Sequence, residues 1–220
     1  MILLLPAVLL SMWAQARVQS TFSRYSQVGA RNGATGAGVA RMLLDRFGLS
    51  YVPVNPIAGS LTDHYNPANR TLSLSESVYG SSSIAAIGVA AHEVGHAIQH
   101  SQSYWPLLFR NNIVPVVNLA SNAALPLFFL GLMTGGSTLM TVGIVLFCGA
   151  LVFHLVTLPV EYNASSRAIA LLRQTGSLAP DELDGAQRVL NAAAWTYVAA
   201  ALMSVLNLLR LFILKSSRER

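Results

Sequence analysis

Charge is scarce in this chain. Asp, Glu, Lys and Arg fill 10% of its 220 positions, whereas hydrophobic residues fill 53%. Soluble domains carry about 25% charged residues, so a freely soluble domain is excluded and a membrane protein is expected. Cysteine is nearly missing as well. The single thiol, Cys148, lies in an apolar segment, which rules out an intrachain disulfide and leaves the redox compartment open. No internal repeat is visible, and the length suits one functional unit with several spans. The net charge of +5 comes from dispersed basic residues with no aromatic-interleaved patch. That pattern speaks against nucleic acid as a partner and for contact with the lipid bilayer.

Long apolar runs are what the chain has in quantity. Residues 2–14 form the first, followed by Arg17 and Arg24. It is short for a span of about 20 residues. Ala14-Gln15-Ala16 has the small-x-small form of a signal-peptide site, yet no basic segment precedes the apolar part, so residues 1–16 read as a retained membrane anchor. Two further runs, 113–133 and 138–160, are split by Thr134-Gly135-Gly136-Ser137. They predict a transmembrane hairpin within 111–160. A more polar segment, 161–190, follows, with Asp181, Glu182 and Asp184 opening its second helix. The last apolar run, 192–214, lies in a C-terminal helix and basic tail over 191–220.

Residues 17–110 are the most polar part. Gly33, Gly36 and Gly38 resemble a phosphate loop only superficially, because no strand precedes them and no lysine follows. A helix over 37–47, capped near Thr35 and ended by Gly48, is the better reading. Segments 51–54, 61–65 and 71–75 read as short strands, with Asn66-Pro67-Ala68-Asn69 as turn chemistry. Ser75 or Ser77 would cap a helix from about 78 to 101.

That helix carries His92-Glu93-Val94-Gly95-His96. Positions i and i+4 stack on one helix face, so the two imidazoles converge on one point, at which a zinc ion fits. Glu93 flanks that point, where it can take a proton from a water. Two histidines and a glutamate are otherwise costly passengers in an apolar helix. A catalytic zinc needs a third protein ligand. His100 shares the face but lies too far along the axis to bind the same ion as both histidines, so it reads as structural or supporting. Glu161 is the strongest remaining carboxylate: two membrane crossings return the chain to the side it left, so Glu161 and the histidines emerge on one face. Glu76 precedes the motif, Glu182 looks like a helix-start charge and Glu219 sits in the tail. As donors to an oxyanion, His64, Tyr79, Arg167 and Tyr197 stay unranked. Asn118, Asn122 and His154 sit within apolar runs, where interhelical hydrogen bonds or a polar cavity would each explain them.

The segments SMWAQARVQSTFSRYS, LTDHYNP, AAHEVGHAIQ, TLPVEYNASSRA and VLNAAAWTYVAAAL resemble the signature blocks of a neutral zinc metallopeptidase family of bacterial membrane proteins (YugP-like). In plan this is similar to gluzincins of the membrane heat-shock and CAAX-prenyl protease kind. The resemblance spans nearly the whole chain. It implies a mainly α, polytopic membrane protein with a helical gluzincin-type zinc site beside a small β-hairpin or edge strand. It further implies one Zn²⁺ per chain on His92, His96 and Glu161, with Glu93 as catalytic base of an endopeptidase acting on proteins or peptides, membrane-associated ones included. The prenyl-protease kind has Asp four residues after the third ligand, orienting a zinc histidine. Here that position is Ser165, and Asn163 is a second candidate for the role. A zinc-binding membrane scaffold or regulatory protein without turnover is the alternative, and an intact Glu93 speaks against it. A channel or transporter would call for repeats or paired broken helices, which are missing.

Basic residues set the expected orientation. Residues 17–110 hold seven (Arg17, Arg24, Arg31, Arg41, Arg46, Arg70, Arg110), 161–190 adds three, and the 134–137 turn has none. The catalytic side is therefore expected in the cytoplasm, with the chain in the bacterial inner membrane. Lys215, Arg218 and Arg220 would face outside if 192–214 spans fully, so a tilted or re-entrant helix is the other reading.

Overall fold

The computed structural model describes residues 2–218. Glu219 and Arg220 of the tail lie outside the described residues. A 3-10 turn at Ile2–Leu4 leads into α1 (Leu5–Ser26), followed by α2 (Gly36–Arg46), β1 (Val54–Ile57), β2 (His64–Asn66), β3 (Thr71–Ser75), α3 (Glu76–Tyr79), α4 (Ile84–Ser101), α5 (Trp105–Thr134), α6 (Ser137–Thr175) and α7 (Pro180–Arg218). Among the described residues four helices are long and apolar enough to cross a membrane: Ile2–Ser26, Trp105–Thr134, Ser137–Thr175 and Pro180–Arg218. The chain is a mainly α, polytopic membrane protein.

Several elements run further than hydropathy suggests. The apolar stretch 2–14 is only the start of a helix that continues to Ser26, because residues 7–26 contain neither Gly nor Pro and Pro6 sits in the first turn, where its missing N–H costs nothing. Helix α6 passes through Pro159 and Glu161 without a break, and α7 is continuous from Pro180 to Arg218. Polarity changes at those points; the backbone does not.

The chain divides into two compact units. One comprises residues 1–14, 105–159 and 195–220. Here α5 and α6 are joined at Gly135, whose φ of 76° admits the tight reversal. Small residues let the two helices touch: a Cβ on Gly143 would fall 2.6 Å from the Ala124 carbonyl oxygen, and one on Gly131 would fall 2.7 Å from the Met140 nitrogen. Phe128, Met140, Ile144 and Leu211 form the buried cluster. Val116, Leu119, Val145 and Leu155 are exposed, as lipid-facing side chains are.

The other unit comprises residues 15–104 and 160–194. Its core is assembled from the apolar faces of α2 and α4, the sheet, and the 160–194 part of α6 and α7; Leu43, Leu44, Leu72, Leu74, Ile87, Val94, Ile98 and Leu172 are among its buried members. Thr35 caps α2 by accepting from the Gly38 N–H at 3.1 Å, and Gly48 follows with φ 70°. The expected helix over 78–101 is two helices. Ser83, not Ser75 or Ser77, caps the longer one by accepting from the Ala86 N–H at 3.2 Å. The sheet has strand order β1-β3-β2, with β1 parallel and β2 antiparallel to β3. Strand β2 is thus an edge. The strand expected at 51–54 lies three residues later, at Val54–Ile57, and the one expected at 61–65 is shorter, starting three residues later and ending one later, at His64–Asn66.

Gly95 sets the distance between α4 and α6. A Cβ there would meet the Ala164 carbonyl oxygen at 2.7 Å and its Cα at 3.3 Å, and backbone cannot rotate out of the way. Gly149, also mid-helix, meets nothing closer than 4.0 Å. Replacing Gly by Ala inside a helix gains about 1 kcal/mol from propensity, whereas overpacking costs about 1–3 kcal/mol. Thermal unfolding in detergent is therefore expected to show Gly95→Ala destabilised and Gly149→Ala neutral or stabilised. Equal effects of the two would remove the close approach as a constraint.

Candidate metal centre

Helix α4 presents His92 and His96 on one face, their ring centroids 4.7 Å apart and edge to face. Helix α6 brings Glu161 to the same point. His92 Nε2 lies 3.2 Å and His96 Nε2 3.5 Å from Glu161 Oε2, and one ligand atom from each residue lies within 4.8 Å of the others. Metal–ligand bonds of about 2.0–2.2 Å in tetrahedral geometry separate ligand atoms by roughly 3.3–3.6 Å. The measured spacing fits. The Glu161 side chain is 6% exposed, that of His96 10% and that of His92 15%, so one edge of the cluster stays open to solvent while the rest is enclosed.

The far nitrogens are also held. His96 Nδ1 lies 2.9 Å from Gln99 Oε1, and His92 Nδ1 lies 3.1 Å from Ser165 Oγ. The Gln99 oxygen can only accept, so His96 Nδ1 donates to it, and a neutral ring so held turns its Nε2 lone pair toward the Glu161 carboxylate; the Ser165 hydroxyl can hold His92 in the same way. Three acceptors facing one another repel unless a cation sits among them, which is the chemistry of a zinc site. The residues present therefore fit zinc.

Glu93 sits beside this cluster and is 8% exposed. Its Oε2 accepts a 2.9 Å bond from the Tyr65 backbone N–H on edge strand β2. Burial pushes its pKa up to about 7; the His92 charge opposes this, while the Glu161 and Asp63 charges add to it. A divalent cation on the neighbouring ligands would pull it down again. The carboxylate is thus placed beside the ligand cluster where it can accept a proton.

The remaining candidates separate. Ser165 reaches His92; Asn163 does not reach a ligand but accepts from Gln99 Nε2 at 2.9 Å and from Arg167 Nε at 2.8 Å. Arg167 also donates to Gln102 Oε1 at 2.6 Å and lies over the Tyr104 ring, which commits it to cross-linking α4 and α6. His64 is exposed on β2, its Nδ1 2.9 Å from the Thr62 carbonyl oxygen. Tyr79 packs against the core, and Tyr197 belongs to the other unit. His100 is outside the ligand cluster; its Nδ1 pairs with the Tyr65 hydroxyl at 2.9 Å, and burial lowers its pKa.

Two residues to which the sequence reading gave no role matter here. Gln99 is fully buried and touches a ligand ring. Tyr65 contributes through its backbone, which composition cannot reveal. Ser165, by contrast, lines a cleft of about 270 Å³ together with Tyr162, Arg173, Gln187 and Asn191. Water can reach the Ser165 hydroxyl but not the Gln99 amide.

Comparison with known proteins agrees with this chemistry. Residues 1–216 match the family described as "Putative neutral zinc metallopeptidase". Over 208 residues, 94% of this chain and 92% of the relative, the sequence is 52% identical to the Bacillus subtilis (strain 168) protein described as "Putative membrane protease YugP". No solved structure matches. Because the family match covers almost every residue and that relative aligns nearly end to end, the chain belongs to this neutral zinc metallopeptidase family.

Proposed function

We propose that this protein is a membrane-embedded zinc endopeptidase of the gluzincin type, one zinc per chain, cleaving protein or peptide substrates. The observation that carries the reading is the convergence of His92 Nε2, His96 Nε2 and Glu161 Oε2 with a buried carboxylate, Glu93, immediately beside them. Zinc, when bound, supplies Lewis-acid polarisation of a water and of a carbonyl oxygen. Glu93 takes the proton from the attacking water and passes it to the departing amine. The Tyr65 N–H holds Glu93 Oε2, so the other oxygen is the one available to the reacting water. Edge strand β2 pairs with β3 on one side only; on its other side Glu93 takes the Tyr65 N–H, so an extended peptide would add there through the remaining backbone groups. The excess of basic residues in 17–110 and 161–190 supports a cytoplasmic catalytic side in a bacterial inner membrane.

The deciding experiment compares wild type with Glu93→Gln, purified in detergent, for zinc content and cleavage of an unfolded protein. Both are expected to retain about one zinc, and Glu93→Gln to lose cleavage by at least about 100-fold, the usual worth of a general base. Zinc binding without cleavage in either protein would favour the scaffold reading; no zinc in either would overturn both.

Ser165 gives a second expectation. Because the cleft lets water accept from His92 Nδ1 once the hydroxyl is gone, and water replaces such bonds at small cost, Ser165→Ala is expected to weaken zinc retention by less than about 10-fold, the lower edge of the usual range for orienting residues. Chelator competition measures it. A larger loss would mean that the hydroxyl itself, and not merely an acceptor, is required.

A further inference from the structure

We infer that Gln99 is a positioning residue for this centre: its amide oxygen fixes the protonation pattern of His96 so that Nε2 faces the metal. The inference rests on the zinc reading above and assigns a role to a side chain outside the ligand set.

The orientation of the amide follows from groups whose hydrogen-bonding sense is not adjustable. A guanidinium only donates and a backbone carbonyl only accepts. Arg167 Nε lies 2.8 Å from Asn163 Oδ1, so that atom is the oxygen of Asn163 and not its nitrogen. The Gln99 group 2.9 Å from the same oxygen must then be a donor, Nε2. The same nitrogen lies 2.9 Å from the Val160 carbonyl oxygen, which demands a donor independently. Both Nε2 hydrogens are spent. What remains is Oε1, an acceptor, 2.9 Å from His96 Nδ1. His96 Nδ1 must therefore be the donor in that bond, and a neutral His96 so held has its lone pair on Nε2, on the Glu161 side.

Burial makes the arrangement binding. Gln99 has no exposed surface, so water cannot substitute for either end of the amide, and an unpaired buried polar group is costly. Position matters too. Gln99 is three residues after His96 on α4, hence on the same face, and Val160 directly precedes Glu161 on α6. One amide ties a histidine ligand to the backbone next to the carboxylate ligand.

The two ends of the side chain can be tested apart. Gln99→Glu keeps an acceptor for His96 and loses the donors to Val160 and Asn163; Gln99→Met loses everything. If Gln99 merely cross-links α4 and α6, both variants lose the cross-link and should suffer alike. As a positioning residue it predicts a split: in the full-length protein in detergent, chelator competition should give Gln99→Met a zinc affinity about 10–100-fold below wild type, with Gln99→Glu at or above wild type, although thermal unfolding of both metal-free variants falls similarly. Should Gln99→Met fail to fold, Gln99→Asn, whose shorter arm withdraws the oxygen from Nδ1, should show the same weakening. Wild-type affinity in Gln99→Met, or equal losses in Met and Glu variants, would overturn the inference while leaving the zinc reading intact. Absence of zinc from the wild type itself would overturn that reading and this inference together.

Discussion

The contact of α4 backbone on α6 backbone at Gly95 and Ala164 is the constraint on which the centre depends. Histidine and glutamate side chains are short, and their ligand atoms can meet at 3.2–3.5 Å only if the two helices approach closely. A glycine one residue before His96 permits that approach, and Ala164 keeps the facing surface small. The glycine costs α4 about 1 kcal/mol of helix propensity relative to alanine.

Around that contact the polar groups form a closed accounting. Each far nitrogen of the histidines has a partner, Gln99 has all three of its used valences filled, and Glu93 receives a backbone N–H from an edge strand. Every one of these residues belongs to the unit comprising 15–104 and 160–194. The first turns of that part of α6, beginning at Val160, therefore serve chemistry, while residues 137–159 of the same helix are apolar enough to meet lipid. A helix supplies this division without a loop, because a change in side chains leaves the backbone hydrogen-bond ladder intact.

That economy explains which features could be read from the chain and which could not. His92, Glu93 and His96 are legible because helical periodicity fixes their geometry locally. Glu161 required a long-range argument, two crossings of the membrane, and the structure brings it to the histidines. The break expected after residue 160 was a reading of hydropathy as backbone, and α6 shows the two to be independent. Ser83 was passed over for Ser75 and Ser77 because all three offer the same side chain; only Ser83 finds a free N–H to accept from, at Ala86. Ser75 is instead taken by Asp63, which accepts both its N–H and its hydroxyl. Gln99 closes the AAHEVGHAIQ block, yet nothing in the sequence gives it a role. An amide three residues past a histidine looks like any buried polar residue until Val160, Asn163 and Arg167 arrive from another helix.

The identity of the two orienting groups has a consequence for the metal. Both histidines lean on neutral partners, Ser165 for His92 and Gln99 for His96, where a carboxylate would pull harder on the Nδ1 proton. A carboxylate partner makes an imidazole more basic and a better donor to its metal. Neutral partners leave the imidazoles weaker donors, so a zinc on this ligand set would be held less tightly and keep more of its positive charge. More residual charge would mean stronger polarisation of water and carbonyl and a deeper pull on the neighbouring Glu93 carboxylate, whose pKa burial, helped by the Glu161 and Asp63 charges, otherwise raises to about 7. On the zinc reading proposed above, a neutral serine at position 165 would thus trade retention for electrophilicity. The sealed Gln99 amide limits the loss, since it supplies in geometry what a neutral acceptor lacks in charge.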